Sequence, residues 1–448
     1  MRKREFLKGS GFLMAGGIFS QFMTADQQPR NRTNWAGNYN YRAQRLEIPK
    51  SLDELRDIVK GSRQAKALGT RHSFNAVAYS TGTQISLEHF DQISIDQKAH
   101  VVTVGAGVKY GQLCPYLDSR GYALHNLASL PHISVAGACA TGTHGSGNNN
   151  GNLATAVSAL EMVRANGEVV TLSRAHDGDK FRGAVVSLGA LGVVTKITLN
   201  LAPAFTVSQV VYENLSLGQL ENHLEEIFGS GYSVSLFTDW QQHRATEVWI
   251  KRRIEPGRAG DWEEEFFGAN KAARKLHPIA DHPAENCTEQ LGIPGPWYER
   301  LPHFRMNFTP SSGNELQTEY FVPRDRGYAA ILAVEKHKDQ ISPHLFVSEL
   351  RTIAADDLSI SPCRQRSSLA IHFTWKPEWP QVKALLPLVE NSLAPFDARP
   401  HWAKLFTVSP QRLKELYDQL PDYKALVEEY DPQGKFRNAF LNTNIFGD

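Results

Sequence analysis

The feature that most constrains this chain is a run of fourteen residues at positions 134–147, which reads SVAGACATGTHGSG. Apart from His144, the run contains no large side chain. A backbone with so little cover can approach a ligand closely, and its N–H groups can line an extended anion such as a pyrophosphate. A tight buried turn would also explain the run, and the run alone does not decide between the two interpretations.

A second small-residue loop, ALGTRHS, occupies residues 67–73 at the end of a short apolar stretch. Gly69 permits close backbone approach there, and the N–H groups of such a turn can form an anion-binding nest. The single-loop nucleotide motifs, Gly-x-Gly-x-x-Gly and Gly-x-x-x-x-Gly-Lys-Ser/Thr, do not occur in a suitable place. The two loops therefore predict a phosphate grip shared by two segments, with His72 left for another role.

The overall composition excludes several classes of protein. A chain of 448 residues is too long for one ordinary core, so we expect two domains. Its 48 basic and 47 acidic residues balance, which argues against nucleic acid as a partner. The four cysteines lie far apart without a metal-ligand spacing, so we expect buried thiols and no metal site, with a disulfide left open.

The first residues of the chain have the pattern of an export signal. Arg2, Lys3, Arg4 and Lys8 precede an uncharged run at 9–23 that is too short and glycine-rich for a comfortable membrane span. The sequence KREFLK resembles a twin-arginine signal in which the first arginine is replaced by lysine. We expect residues 1–30 to direct the protein to the periplasm or the exterior, with no stable membrane span; an uncleaved basic and apolar anchor is the alternative.

The first half of the chain mixes helices and strands. The Ser51-x-x-Glu54 capping box predicts a helix to about Gln64. A β-branched strand at 100–108 precedes a helix that stops at Gly121, and Asn166-Gly167 predicts a hairpin with a type I′ turn.

The second half predicts a mainly antiparallel sheet with interspersed helices. Period-two stretches occur at 206–214, 247–253, 316–323, 346–353 and 368–375. The chain is therefore expected to have the α+β class. The expected parts are the signal at 1–30, a first domain at 34–204, a second domain at 205–410, and a C-terminal segment at 411–448 that packs back on the first domain.

Polar residues are paired on two of these apolar strands. Glu349 and Arg351 are two residues apart, as are His372 and Thr374, so each pair shares one face of its strand; Lys404 follows downstream. Polar groups are costly to bury without partners, which favours a shared polar site. A ladder of ion pairs on an exposed face is the alternative.

Together these segments resemble the FAD-binding domain of the vanillyl-alcohol-oxidase superfamily, which is of the p-cresol methylhydroxylase (PCMH) type. The resemblance rests on Gly69-Thr70-Arg71-His72-Ser73, Ala128-Ser129, the Ala-Thr-Gly-Thr-His-Gly core of the long loop, and SLGALGVVTKITL at 187–199. Within the superfamily the chain is similar to bacterial alditol oxidases, relatives of the sugar-lactone oxidases, from about Asn34 onward. The resemblance implies an FAD domain with a substrate domain over the flavin ring.

The resemblance also implies which residues contact the cofactor. In that family the histidine of the Gly-x-Arg-His-Ser loop is bonded to the 8α-methyl group of the flavin, so His72 is implied as a covalent attachment site. The implied cofactor-binding residues are Ala67, Leu68, Gly69, Thr70, Arg71, His72, Ser73, Ser129, Ser134, Gly137, Thr141, Gly142, Thr143, His144 and Val194.

The same resemblance assigns the downstream polar residues to a substrate pocket, because alditol oxidases carry Glu-x-Arg, His-x-Thr and Lys in this order. The implied catalytic residues are Glu349, Arg351, His372 and Lys404, and the implied substrate-binding residues are Ser129, Glu349, Arg351, Thr374 and Lys404. Oxidising an alcohol needs a base near the reacting hydroxyl. Glu349 or His372 could serve, and the sequence does not rank them.

The expected activity is oxidation of a terminal hydroxyl of a small polyol, such as xylitol or sorbitol, to the aldehyde. Oxygen is the expected acceptor, hydrogen peroxide the expected product, and a monomer the expected state. An aldonolactone oxidase or dehydrogenase is the alternative within enzymes. A secreted carbohydrate-binding protein that has lost the flavin is the alternative from another class.

Overall fold

Two antiparallel sheets, of five and ten strands, organise this computed structural model, which describes residues 32–255, 260–306 and 315–447. In those ranges the strands, numbered β1 to β20, are Arg45–Glu47, Ala65–Leu68, Thr83–Ser86, Ile93–Asp96, Val101–Gly105, Tyr122–Ala123, Val157–Val163, Val169–Ser173, Val193–Asn200, Ala202–Pro203, Thr206–Ser216, Ser233–Thr238, Arg244–Ile254, Glu265–Phe266, Ala269–Lys271, Gly295–Pro296, Leu316–Pro323, Leu345–Ile353, Ser368–Trp375 and Arg399–Pro400. The α-helices of the same ranges, α1 to α11, are Leu52–Gly61, Tyr110–Asp118, Val135–Ala140, Gly178–Val185, Leu220–Gly229, Gly327–Glu335, Lys338–Ile341, Trp379–Leu393, Pro410–Leu416, Leu420–Tyr430 and Ala439–Leu441.

The strands pair in sequence-local groups. The five-stranded sheet has the order β4-β5-β9-β7-β8, and β1-β3-β2 form a separate parallel sheet beside it. The large sheet has the order β14-β15-β11-β13-β12-β18-β19-β17-β20, with β16 paired to β11. All its pairings are antiparallel, so the predicted α+β class and the mainly antiparallel second sheet are confirmed.

Local sequence signals predicted the first helix and the hairpin at Asn166-Gly167, and one detail of each prediction is wrong. The Ser51 hydroxyl accepts a hydrogen bond from the Glu54 N–H, as the capping motif predicts. The helix ends at Gly61, earlier than predicted, because the chain turns there into β2. The hairpin joining β7 and β8 is present, but the type I′ prediction is wrong: Gly167 has a φ of 80° and Asn166 is not left-handed. A type I′ turn requires positive φ at both positions.

The large sheet is buried on both faces, for different reasons. One face packs its alternate apolar side chains, including Leu350 and Ile371, against α6 and α8. Glu349 is adjacent to Leu350 in its strand, and His372 is adjacent to Ile371. Both therefore lie on the opposite face, and both are also buried. Because successive side chains of a strand alternate between faces, the buried polar residues collect on one side of the sheet.

The end of the chain is attached to the beginning by buried polar contacts. The Asn438 side-chain amide donates to the carbonyls of Ala76 and Tyr79 at 3.0 and 2.8 Å. Lys66 Nζ donates to the Phe436 carbonyl at 3.1 Å, and the Ala65 N–H donates to the Lys435 carbonyl at 2.9 Å. Residues from 33 onward form one compact unit. The boundaries expected near 204 and 410 stay predictions.

The expected export signal at 1–30 lies outside the described residues. Within the described ranges, no helix combines the length and apolar character that crossing a membrane requires.

Candidate active site

The two small-residue loops lie against each other and expose a strip of bare backbone, which we call the groove. Gly69 and Gly137 are both exposed, although Ser134 between them is buried. A Cβ built on Gly69 or on Gly137 would lie 2.8 or 2.7 Å from Ser134 Oγ, and the two glycines themselves are near neighbours. The loops are joined by a 3.3 Å hydrogen bond from the Ser134 N–H to Thr70 Oγ1. The groove is therefore lined by bare backbone that larger residues would fill.

His72 lies at one side of this groove on a constrained turn. Arg71 before it has a φ of 62°, and the Trp35 N–H donates to the Arg71 carbonyl at 2.8 Å. The rings of Trp35 and His72 lie 4.7 Å apart. Burial, together with the charges of Lys404 and His132, lowers the pKa of His72 to about 3. The imidazole is therefore neutral at physiological pH.

The other implied cofactor residues do not all line this groove. Thr141 Oγ1 donates to the Gly137 carbonyl at 3.2 Å and lies 3.2 Å from Thr143 Oγ1, so these two threonines continue the long loop beside it. Gly142 instead faces Pro362, since a Cβ there would lie 3.3 Å from that ring. Ala67 and Leu68 are the last residues of β2, and Val194 is half-buried in β9. The Arg71 guanidinium donates to the Thr33 carbonyl, and the Ser73 carbonyl accepts from the Asn34 side chain.

The loop that carries His72 is bonded to the segment that carries Lys404. The Phe74 N–H donates to the Ala403 carbonyl at 2.7 Å. The Asn75 side-chain amide donates to the carbonyls of Trp402 and Lys404 at 2.8 and 2.7 Å. These bonds hold the groove and the downstream polar residues at one place.

The downstream polar residues form a row across three neighbouring strands. In register, Glu319 of β17 pairs with His372 of β19, which pairs with Glu349 of β18. Arg351 stands one step along β18 on the same face, next to Ala370 of β19. Paired residues of neighbouring strands project together, so a single polar patch results. The two polar pairs thus lie in one patch, and their residues are buried rather than arranged as an exposed ladder of ion pairs.

Glu319, which the sequence analysis did not single out, is the centre of that patch. It is 1% exposed, and its Oε1 lies 2.6 Å from Arg351 Nη2 and 3.3 Å from His144 Nε2. Its Oε2 lies 3.0 Å from Lys404 Nζ. Burial alone would raise the pKa of Glu319, but Lys404, His144 and Arg351 lower it well below its ordinary value. Glu319 is therefore an anion that holds two cations in place.

His372 contacts both Lys404 and Thr374. Its Nδ1 lies 2.7 Å from Lys404 Nζ and its Nε2 lies 3.1 Å from Thr374 Oγ1. Burial and the neighbouring Lys404 lower the pKa of His372 to about 4. The neutral ring has a nitrogen lone pair and can accept a proton.

Glu349 and Ser129 complete the patch through Arg351. Arg351 Nε lies 3.5 Å from Glu349 Oε1, and Arg351 Nη1 donates to Ser129 Oγ at 3.4 Å. Burial would raise the pKa of Glu349, but Arg351 and His303 hold it well below the ordinary range. His303 Nε2 lies 2.7 Å from Glu349 Oε1, and Lys251 Nζ lies 3.2 Å from His303 Nδ1. Lys251 and His303 were also missed by the sequence analysis.

The missed residues differ in how they could have been found. Gln317 and Glu319 are two apart on an apolar strand, the same signal that pointed to Glu349 and Arg351, so Glu319 was readable from the sequence. His303 lies in a loop without periodicity. Lys251 stands beside Arg252 and Arg253 and resembles the charged end of a strand.

Among the described residues, His144, Glu319 and His401 have potential ligand atoms within 4.8 Å of one another, the spacing of a metal site. Both Glu319 oxygens already lie against cationic side chains, Arg351 and Lys404. A metal cation would be repelled by these two charges at short range. The expectation that the chain uses no metal stays a prediction.

Comparison with known proteins finds family matches for the segment that carries the two small-residue loops and for the segment that carries the polar patch. Residues 43–173 match the family described as FAD binding domain, and residues 311–444 match the family described as D-arabinono-1,4-lactone oxidase. The chain is 45% identical to an alditol oxidase of a Streptomyces species, over 93% of this chain and 99% of that protein. It is 26% identical to L-gulonolactone oxidase of Bos taurus, over 91% and 96% of the two chains.

The fold is shared with more distant proteins. The crystal structure of cholesterol oxidase from B. sterolicum superposes with a TM-score of 0.74 at 14% identity, covering 92% of this chain and 96% of that one. At that identity the likeness establishes the architecture alone. The 45% identity over almost the whole length of both chains establishes the family, and the expected resemblance is confirmed. This chain is a member of the alditol oxidase family of FAD-dependent oxidoreductases.

Proposed function

We propose that this protein oxidises a terminal hydroxyl of a small polyol to an aldehyde, with FAD as cofactor and oxygen as acceptor. The observation that carries the proposal is the pair of hydrogen bonds that the Asn75 amide donates to the Trp402 and Lys404 carbonyls. It places the His72 loop directly beside a buried patch of proton-accepting and charged side chains. The alditol oxidase relative supports the choice of polyol.

The groove between the loops fits a long, partly anionic cofactor. Backbone at Gly69 and Gly137 is exposed, and a Cβ at either residue would cover it. FAD, when bound, would supply the two-electron acceptor for the alcohol and the route of those electrons to oxygen. Gly69, Thr70, Ser134 and Gly137 would hold it through backbone contacts. His72 has the neutral imidazole that a covalent link to the flavin methyl group requires, and we include that link in the proposal.

We assign to His372 the role of the base that accepts the proton of the substrate hydroxyl. A base works best when its pKa lies near the working pH, and Glu349 holds protons far less readily than the neutral ring. Lys404 donates to Nδ1, so the ring proton lies on Nε2 and Thr374 Oγ1 accepts from it. The lone pair that takes the proton is therefore on Nδ1, and a substrate hydroxyl would reach it by taking the place of Lys404 there. Glu319 Oε1 lies 3.8 Å from the same Nδ1, where its negative charge stabilises the imidazolium that forms.

The charge of the patch favours a neutral substrate. Glu319 and Glu349 balance Arg351 and Lys404, so the four charged side chains of the patch have no net charge. Arg351 and Lys404 can donate to hydroxyl oxygens, and Glu349 can accept from them. Alternating donors and acceptors suit a chain of adjacent hydroxyl groups.

The test is a panel of polyols and sugar lactones on the purified full-length protein. Peroxide release and flavin bleaching without oxygen are measured for each compound. Xylitol or sorbitol turnover with negligible lactone turnover is the expected result. Turnover of lactones alone would replace the proposal with the aldonolactone activity of the more distant relatives, and a colourless protein would indicate the flavin-free binding role.

We also propose that residues 1–30 direct export, on the basis of the basic and uncharged pattern at 2–23. Replacing both Lys3 and Arg4 by alanine should leave the protein in the cytosolic fraction. Unchanged fractionation of that variant would contradict a twin-arginine route.

A further inference from the structure

Lys251 is a buried cation outside the set of residues implied for the substrate pocket. It is 1% exposed on β13, and its ammonium group contacts three acceptors. Nζ donates to the carbonyls of Leu301 and Pro302 at 2.5 and 3.1 Å, and lies 3.2 Å from His303 Nδ1. Burial lowers the pKa of Lys251 to about 7. In its ammonium form the three N–H donors match these three acceptors.

The direction of these bonds determines where the proton of His303 lies. The Glu349 carboxylate can only accept, so the proton of the neutral ring must be on Nε2, and Nδ1 must accept from Lys251. Nε2 lies 2.7 Å from Glu349 Oε1, and Nδ1 lies 3.2 Å from Lys251 Nζ, which has N–H groups to donate in its charged and its neutral form. The bonds therefore run one way, from Lys251 to His303 to Glu349.

We propose that Lys251 and His303 are positioning residues for the oxidation: Lys251 selects the Nε2–H tautomer of His303, which donates to Glu349 and keeps that carboxylate ionised and aimed into the pocket. The kinetic effects expected from this inference rest on the proposed function, because Glu349 is one of the groups assigned to bind the polyol.

His303 also connects Glu349 to Ser129. The backbone N–H groups of His303 and Phe304 both donate to the Ser129 carbonyl, at 3.1 and 3.2 Å. Arg351 Nη1 meets the Ser129 hydroxyl from the other side. One short segment therefore sets the position of Ser129 through its backbone and of Glu349 through a side chain. The segment at 297–304, whose aromatic residues pack in the core, serves as a support for the pocket.

The surroundings of His303 contain few other titratable groups. Glu349 and Arg351 face it from β18 and Lys251 faces it from β13, with Cys287 close to Lys251. The remaining neighbours are the rings of Phe237, Trp249 and Phe304. Burial and Lys251 lower the pKa of His303 to about 4, so the ring is neutral at the pH of assay.

The kinetic test compares His303→Leu with His303→Gln on the flavin-loaded enzyme. Leucine removes the donor to Glu349, whereas glutamine keeps an amide N–H near the position of Nε2. His303→Leu should lower kcat/KM about tenfold, the value of one hydrogen bond to a charged group. It should also raise the pKa of Glu349, which loses a donor that favours its anion. Protonation of Glu349 then adds to that of His372 and moves the acidic limb of the kcat/KM profile to higher pH. His303→Gln should restore most of both losses.

A matched pair of lysine variants separates positioning from folding. Lys251→Met should shift the acidic limb in the same direction as His303→Leu. Lys435→Met also removes a buried ammonium that donates to backbone carbonyls. Those carbonyls belong to Val59 and Ala165, which are not residues of the polar patch. It should leave the pH profile unchanged. Equal losses in His303→Leu and His303→Gln with an unshifted profile would overturn the proposal.

A measurement without substrate tests the tautomer itself. In protein labelled with ¹⁵N-histidine, the His303 ring, identified by its absence in His303→Leu, should show the shifts of a neutral Nε2–H imidazole. Lys251→Met should change them toward a mixture of tautomers. An Nδ1–H or cationic ring in the unmodified protein would refute the inference even if polyol oxidation is established. Conversely, the expected spectrum with no polyol turnover would leave the tautomer assignment standing and remove only the proposed function.

Discussion

Glu319 and Arg351 form an ion pair of 2.6 Å across an intervening strand. Glu319 lies on β17 and Arg351 on β18, and both strands pair with β19, so the two backbones are separated by two strand spacings, about 10 Å. The Arg351 side chain spans this distance beside Ala370, its register partner on β19. The ion pair connects the two outer strands of the polar patch, and His372 lies on the strand between them.

Removing the charge of Glu319 should destabilise the protein strongly. Glu319→Gln leaves Arg351 and Lys404 without their buried counter-ion, and breaking such a pair costs about 3–5 kcal/mol of unfolding free energy. Asp357→Asn is the control, because Asp357 pairs with Arg174 and Arg182 at a site with about half of its side chain exposed. Exposed pairs contribute about 0–1 kcal/mol. Urea unfolding measures both, and equal midpoints would show that Glu319 is not a buried anion.

Replacing His72 should release the flavin. His72→Ala removes the imidazole implied as the covalent link, so the yellow colour should move to the supernatant when the protein is precipitated with acid. His176→Ala, at an exposed histidine, is the control and should keep the colour in the pellet. Retention of flavin by precipitated His72→Ala would place the link at another residue.

A methyl group at Gly137 should weaken flavin binding while the fold persists. The new Cβ would meet only Ser134 Oγ, a rotatable group, at 2.7 Å. Overpacked contacts cost about 1–3 kcal/mol, which corresponds to about tenfold weaker binding of a ligand seated there. The flavin-to-protein absorbance ratio of purified Gly137→Ala measures the effect. Gly61→Ala, where the Cβ meets nothing within 4 Å, should keep the full ratio; full flavin content in Gly137→Ala would mean that the cofactor does not use this groove.

His372 and Glu349 should separate in their kinetic effects. His372→Asn removes the proposed base and should lower kcat about a hundredfold or more, the usual contribution of a positioned base. Glu349→Gln should act mainly on KM, since its carboxylate is assigned to binding. Steady-state kinetics with the best polyol of the panel decides the point, and the reverse pattern would assign the base to Glu349.

Stability should fall in mildly acidic solution. The pKa values of His303 and His372 are lowered to about 4 in the folded protein, from 6.5. Below pH 6.5 the unfolded chain binds protons that the folded chain does not, so the stability is present above pH 6.5 and is lost as the pH falls toward 4. Each group contributes a slope of about 1.4 kcal/mol per pH unit. Unfolding midpoints between pH 7.5 and 5 measure it; His372→Asn should flatten the slope by one proton, and a midpoint independent of pH would contradict both assignments.

Much of the site was readable before the fold was known. The glycine loops, the histidine after the turn and the two polar pairs each depend on spacings of a few residues, which a strand or turn converts directly into geometry. Glu319 belonged to the same class of signal. His303 did not, because a loop has no period and its position is set by the chain on either side of it.

What the sequence by itself determined is local: the capped start of α1, the strands of the large sheet, the faces on which Glu349, Arg351, His372 and Thr374 lie, and the bare backbone of two loops. Only the tertiary structure decided which of these meet. The order β18-β19-β17 brought Glu319 to Arg351, the Asn75 amide joined the His72 loop to Lys404, and burial made His303 a neutral donor to Glu349. Alternation along a strand is a property of short-range backbone geometry, whereas strand order, burial and the resulting pKa shifts arise from contacts between residues distant in sequence.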